Sequence, residues 1–203
     1  MKYKIATLAV VLCLALLLNG CAPACSIFAL YKADDKAFEK DLIGTWKLVV
    51  TNPDDSDSNK NSRWIFQQST ENSYDFKWGV VGTKGGFLAK VRLVRIGTLL
   101  FIDVEGNTDD EAIDARENPV SFPTIPVHMF GRIWLEKNKL EIHFLNDDWV
   151  KAQAKAGTLP LSYLDADGNP LLTAKTDDLR KFMQDHADDE AALSENYSLV
   201  REK

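Results

Sequence analysis

The sequence predicts a mostly β fold of the α+β class: an antiparallel sheet with two helices packed by the C-terminal third. Between Ile43 and Leu145, short runs of aromatic, aliphatic and β-branched residues alternate with polar ones and are punctuated by turn residues. After Asn146 the apolar positions shift to helical spacing behind capping residues. The 203 residues contain no internal repeat and suffice for one domain with a sizeable core.

Residues 1–20 stand apart from that domain. Lys2 and Lys4 precede an apolar run from Ile5 to Leu18, broken only by Thr7. A basic start, a short apolar core and small residues at its end form the pattern of a secretory signal peptide. A membrane span needs about 20 apolar residues, more than this run supplies. The run closes on Leu18-Asn19-Gly20-Cys21, which resembles the lipobox of bacterial lipoproteins. The resemblance implies a diacylglycerol on the Cys21 thiol, removal of the leader and acylation of the new amine. Two or more chains hold a protein stably on a membrane where one does not. Ala22 rather than Asp follows the cysteine, which is similar to an outer-membrane sorting signal of enteric lipoproteins. The expected location is the cell envelope, on the periplasmic face of the outer membrane if the source is Gram-negative. Cys25, the rival site, has Ala22 where a large aliphatic residue is needed.

Without the leader, 22 of the 24 basic residues face 30 acidic ones, a net charge near −8. That balance argues against a nucleic-acid partner and against docking on anionic lipid. Cys13 leaves with the leader and Cys21 carries lipid, so Cys25 remains alone and no intramolecular disulfide framework is available.

Residues 21–41 are expected to be a tether and lead-in, with part of it a surface helix from the spacing of Phe28, Tyr31, Phe38 and Leu42. The first strand starts at Gly44, with Trp46 and Leu48 on one face and Thr45 and Lys47 on the other. The polar stretch 52–62 reads as a loop. Arg63–Gln68 and Tyr74–Trp78 form the next strand pair, followed by a glycine-rich turn at Gly79, Gly82, Gly85 and Gly86. Phe87–Ile96 alternates most cleanly, with Phe87, Ala89, Val91 and Leu93 on one face. Leu99–Val104 is apolar on both faces, as a central strand is. Thr108-Asp109-Asp110-Glu111 fits a capping box for a short helix to about Arg116, stopped by Pro119, Pro123 and Pro126. Val127–Leu135 and Leu140–Leu145 are two more strands, the second with Leu140, Ile142 and Phe144 inward and Glu141 and His143 outward.

In the last third, Asn146 or Asp147 caps a helix to Ala156 that Gly157 ends. Asp165-Ala166-Asp167-Gly168-Asn169-Pro170 reads as a hairpin turn. It imitates a calcium loop but has Pro170 and Thr176 where glycine and glutamate are required. Thr176 is expected to cap a second helix carrying Leu179, Phe182, Met183 and His186 on one face. The domain is assigned to 42–193 and residues 194–203 to a loose tail.

Gly44-x-Trp46 resembles the opening motif of lipocalins, which implies a small barrel with the tryptophan packed across its bottom and the glycine permitting a close approach. The later Thr-Asp-Tyr motif of that family has no match. Phe101–Val104, Pro126–Trp149 and Leu171–Ala187 resemble a family of uncharacterised bacterial proteins, which implies one domain across 40–193 and carries no activity.

The three histidines, His128, His143 and His186, show no metal-ligand spacing, and no metal or cofactor is expected. His143 lies on a polar strand face and His186 in a last helical turn. His128 shares a face with Phe130 and Trp134 and is expected to point inward, as a hydrogen-bonded core residue. The sequence is thus read as a membrane-anchored, non-enzymatic envelope lipoprotein. It would bind a small apolar ligand in the barrel or an envelope protein at its surface. Trp46, Phe66, Phe76, Phe87 and Trp134 are the aromatic candidates to line or fill the interior. The alternative, a hydrolase-like enzyme, expects His128 and Asp103 within hydrogen-bond reach at the floor of a cleft.

Overall fold

The computed structural model describes residues 23–49, 61–82, 86–106 and 126–203. The leader, Cys21 and the helix expected at 108–116 lie outside the described residues. Eight strands form a closed antiparallel barrel: β2 (Gly44–Leu48), β3 (Ser62–Thr70), β4 (Ser73–Val80), β5 (Phe87–Ile96), β6 (Leu99–Gly106), β7 (His128–Glu136), β8 (Lys139–Phe144) and β11 (Glu195–Arg201). They pair in that order, and β11 returns to β2. The strand β1 (Cys25–Ser26) extends β7 beyond the end of β8 and carries a small annex, β9 (Tyr163–Ala166) and β10 (Asn169–Leu172).

Strand alternation divides the apolar residues between two cores. Trp46, Phe66, Val91, Leu93, Ile102, Val104, Ile133, Leu140 and Ile142 point into the barrel. Val94, Ile96, Phe101 and Phe130 lie on its outer wall beneath a second layer. That layer contains the helices α1 (Asp147–Ala156) and α2 (Thr176–Asp185), the annex and residues 23–31. Leu99–Val104 is therefore apolar on both faces because both faces are covered.

Local chemistry sets the second layer. Asn146 caps α1 by accepting the Trp149 N–H at 2.7 Å, and Gly157 ends the helix in the left-handed region. The β9–β10 turn places Asp167 and Gly168 at φ 54° and 82°, the two positive values a type I′ hairpin needs. Leu179, Phe182 and Met183 bury one face of α2.

Four expectations are corrected. The tail is not loose: Glu195–Arg201 closes the barrel, with Tyr197 and Leu199 packed against its interior cluster. The domain also begins before residue 42, because residues 23–31 strap the outer wall and bury Ala24 and Leu30. The described residues of the lead-in form no surface helix, only a short 3-10 turn at Lys40–Leu42. Thr176 does not cap α2: Lys175 is the cap residue, and the Thr176 hydroxyl donates to the Ala29 carbonyl at 2.8 Å, tying the helix to the strap.

Candidate functional site

The two ends of the barrel differ. At one end the hairpins at 71–72, 97–98 and 137–138 meet the lead-in 37–43, which plugs the interior. Trp46 is fully buried there, and its indole N–H donates to the Leu42 carbonyl at 2.9 Å. Arg201 lies over the Trp46 ring and donates to the carbonyls of Ile43, Lys137 and Asp41. A Cβ on Gly44 would come within 2.5 Å of the Arg201 guanidinium, and the backbone there has φ 140°, so glycine is required twice over. Tyr74 completes the plug. It stacks on Phe38, and its hydroxyl both donates to and accepts from the Glu39 backbone. Burial pushes its pKa up to about 12.

Towards the other end the interior is not filled. A cavity of about 360 Å³ is lined by side chains from all eight strands, among them Leu48, Trp64, Phe66, Phe76, Phe87 and Val104, with Pro23 at its edge. Trp64 opposes Trp78 and Phe66 opposes Phe76 across β3 and β4, so four rings face the same space. None of the described lining residues is charged. Ser62 accepts the Trp78 indole N–H, and Tyr197 brings a phenol. Eight-stranded barrels are narrow enough for side chains to fill; here half is filled and half is left as an apolar pocket.

An eight-stranded antiparallel barrel plugged by a Gly-x-Trp strand behind a 3-10 turn has lipocalin-like architecture. No family model, curated protein or solved structure matches the chain.

Of the aromatic candidates, Phe66, Phe76 and Phe87 line the cavity. Trp46 forms part of the plug instead. Trp134 sits outside the barrel, 36% exposed, between Arg132 and the His143 ring. It borders a second recess of about 290 Å³ at the plugged end, where Arg95 is paired with Glu39. The sequence reading missed Trp64, Trp78 and Tyr197 as lining residues, although Trp64 and Trp78 share the alternation of Phe66 and Phe76. It could not foresee Pro23 or Arg201, which reach the barrel ends only through the tertiary fold.

Asp103 and His128 do meet. The His128 Nδ1 lies 2.8 Å from one Asp103 oxygen, and the other oxygen accepts the Leu30 N–H at 2.6 Å. Both side chains are on the outer wall, not pointing inward, and they lie beneath the strap, with Tyr31 edge-on to the imidazole. The pair lines neither of the two cavities. Burial pulls the His128 pKa down, but the Asp103 hydrogen bond and the charges of Asp103 and Glu105 outweigh it, so the net shift is upward. The arrangement is a clamp that holds the N-terminal strap to β6 and β7.

The remaining candidates have structural settings. His143 packs on Trp134, and burial lowers its pKa. His186 caps the end of α2, against Phe182 and beside Asp189. Cys25 is a free thiol in β1, and burial together with the Asp147 carboxylate raises its pKa, which disfavours the reactive thiolate. Among the described residues no group of three or more His, Cys, Asp or Glu converges.

Proposed function

We propose that the protein is a non-enzymatic lipoprotein of the cell envelope, anchored through acylated Cys21, whose barrel binds a small apolar molecule. The observation that carries the binding reading is the unfilled apolar half of the barrel. Its volume of about 360 Å³ falls within the range of small-molecule sites, and its aromatic lining is the usual composition of such sites. Larger side chains in this open mouth would bury more apolar surface, worth about 25 cal/mol per Å². A barrel kept for structure alone would fill this space. The anchor rests on the lipobox resemblance, and the strap joins the barrel wall only four residues after Cys21 in the sequence.

The test has two parts. Labelled palmitate should enter the wild type and be lost on Cys21→Ala; labelling that instead depends on Cys25 would reassign the anchor. Native mass spectrometry of protein extracted in mild detergent should show a bound apolar molecule. The same molecule should be depleted in Val91→Phe, which narrows the cavity. Equal occupancy of the two proteins would place that molecule elsewhere.

A further inference from the structure

We propose that the cavity takes one hydrocarbon chain of a neutral or zwitterionic membrane amphiphile directly from the bilayer, the barrel being held with its cavity end against the lipid. This rests on reading the protein as a lipoprotein with a ligand-binding barrel, and it adds the ligand class and the route of entry.

The route follows from where the chain joins the barrel. Pro23 lines the cavity and bridges to Asn146, and the Ala24 N–H donates to the Leu145 carbonyl. This puts the start of the described chain on the β7–β8 side of the cavity end. Cys21 precedes Pro23 by two residues, which span at most about 7 Å, so acylation of Cys21 would attach lipid to the chain close to that rim. Elsewhere on that rim exposed apolar residues stand two strands from β8, at the end of β2, and four strands from it, at the end of β4. Val49 is 40% exposed, Trp78 42% and Val81 62%, at the ends of β2 and β4. An exposed tryptophan among aliphatic residues suits the headgroup level of a membrane. Among the described residues, charge gathers at the plugged end instead, on Arg95, Glu39, Arg132 and Arg201.

The ligand class follows from the lining. With no charged side chain among the described lining residues, these walls favour hydrocarbon over any ionised group. The volume is near the lower end for ligand sites and suits one chain better than a bulky ring system. The headgroup must then remain at the rim. The net negative charge of the protein disfavours an anionic one.

The experiment uses the mature lipidated protein in phosphatidylcholine vesicles and reads tryptophan quenching by bromine atoms on lipid chains. Trp78 and Trp134 lie at opposite ends of the barrel, so Trp78→Phe and Trp134→Phe separate their signals. Brominated phosphatidylcholine should quench the Trp78 share of the emission and spare the Trp134 share. In Trp134→Phe, brominated lysophosphatidylcholine should quench the cavity-wall indoles Trp64 and Trp78, and Val91→Phe should abolish that quenching. A brominated fatty acid, which is anionic, should be about tenfold weaker. Equal quenching of Trp78 and Trp134 would overturn the orientation while leaving the cavity reading intact. If a neutral probe such as N-phenylnaphthylamine binds but the lysolipid leaves Trp64 and Trp78 unquenched, the ligand class is wrong. If neither enters, the cavity reading itself fails, and this proposal with it.

Discussion

Arg201 and Trp46, 155 positions apart in sequence, close the barrel together: the guanidinium carbon stands 4.3 Å from the ring centroid. The contact joins the last strand to the first strand of the barrel. Its planar fork reaches the Ile43 carbonyl at 2.8 Å and the Lys137 carbonyl at 3.1 Å while stacking on the indole. Arg201→Ala should lower the unfolding free energy by about 2 kcal/mol, the scale of hydrogen bonds to a charged group. Arg201→Lys should recover little of it, because an ammonium cannot stack and fork at once. Denaturant midpoints of the three proteins check this, and a lysine variant as stable as the wild type would contradict it.

Gly44→Ala tests the same contact from the other side. Its methyl would press on the guanidinium in a backbone conformation that side chains rarely adopt. The expected loss is about 1–3 kcal/mol. A second-site Arg201→Ala should relieve the collision, so the two losses should not add.

Removing residues 195–203 should prevent folding, since β2 and β8 would both lose their partner. Circular dichroism of the truncated chain checks this. A native-like spectrum with cooperative melting would show that β11 is dispensable.

The contrast between β5 and β11 shows what the sequence could reveal. Phe87–Ile96 is long enough for its alternation to stand out, and its turn at Gly97-Thr98 is explicit. In β11 only Tyr197 and Leu199 join the interior cluster, between exposed Asn196, Ser198 and Val200, a signal too short to separate from a solvated tail. His128 was legible as a buried, hydrogen-bonded residue but not as an outer-wall one. Where a second layer covers the barrel, both faces of a strand are apolar and periodicity no longer tells inside from outside. The cavity was hidden for another reason: it depends on the summed side-chain volumes of eight strands and on which end the lead-in plugs.

The clamp between Asp103 and His128 makes stability depend on pH. The His128 pKa is raised in the folded state above its ordinary 6.5. Folding therefore favours the protonated ring, and this contribution is fully present below pH 6.5 and lost as pH rises through the folded value. The wild-type midpoint should fall over that interval more steeply than that of His128→Gln. Parallel slopes would show that the histidine does not carry the dependence. Asp103→Ala should cost about 3 kcal/mol, because it leaves a buried imidazole and the Leu30 N–H without their acceptor.

Asn146→Ala should cost about 1 kcal/mol through loss of the α1 cap. Asn146→Asp should retain most of the stability, since the carboxylate can accept the same N–H. Thermal unfolding of both variants checks the order.

The account as a whole depends on the barrel having an open apolar interior, and titration with N-phenylnaphthylamine measures that most directly. The wild type should bind the probe saturably with one site. Val91→Phe should bind about tenfold more weakly with undiminished stability, because the added ring enters the cavity of about 360 Å³ instead of overpacking a full core. Absence of saturable binding, or equal binding by both proteins, would contradict the account.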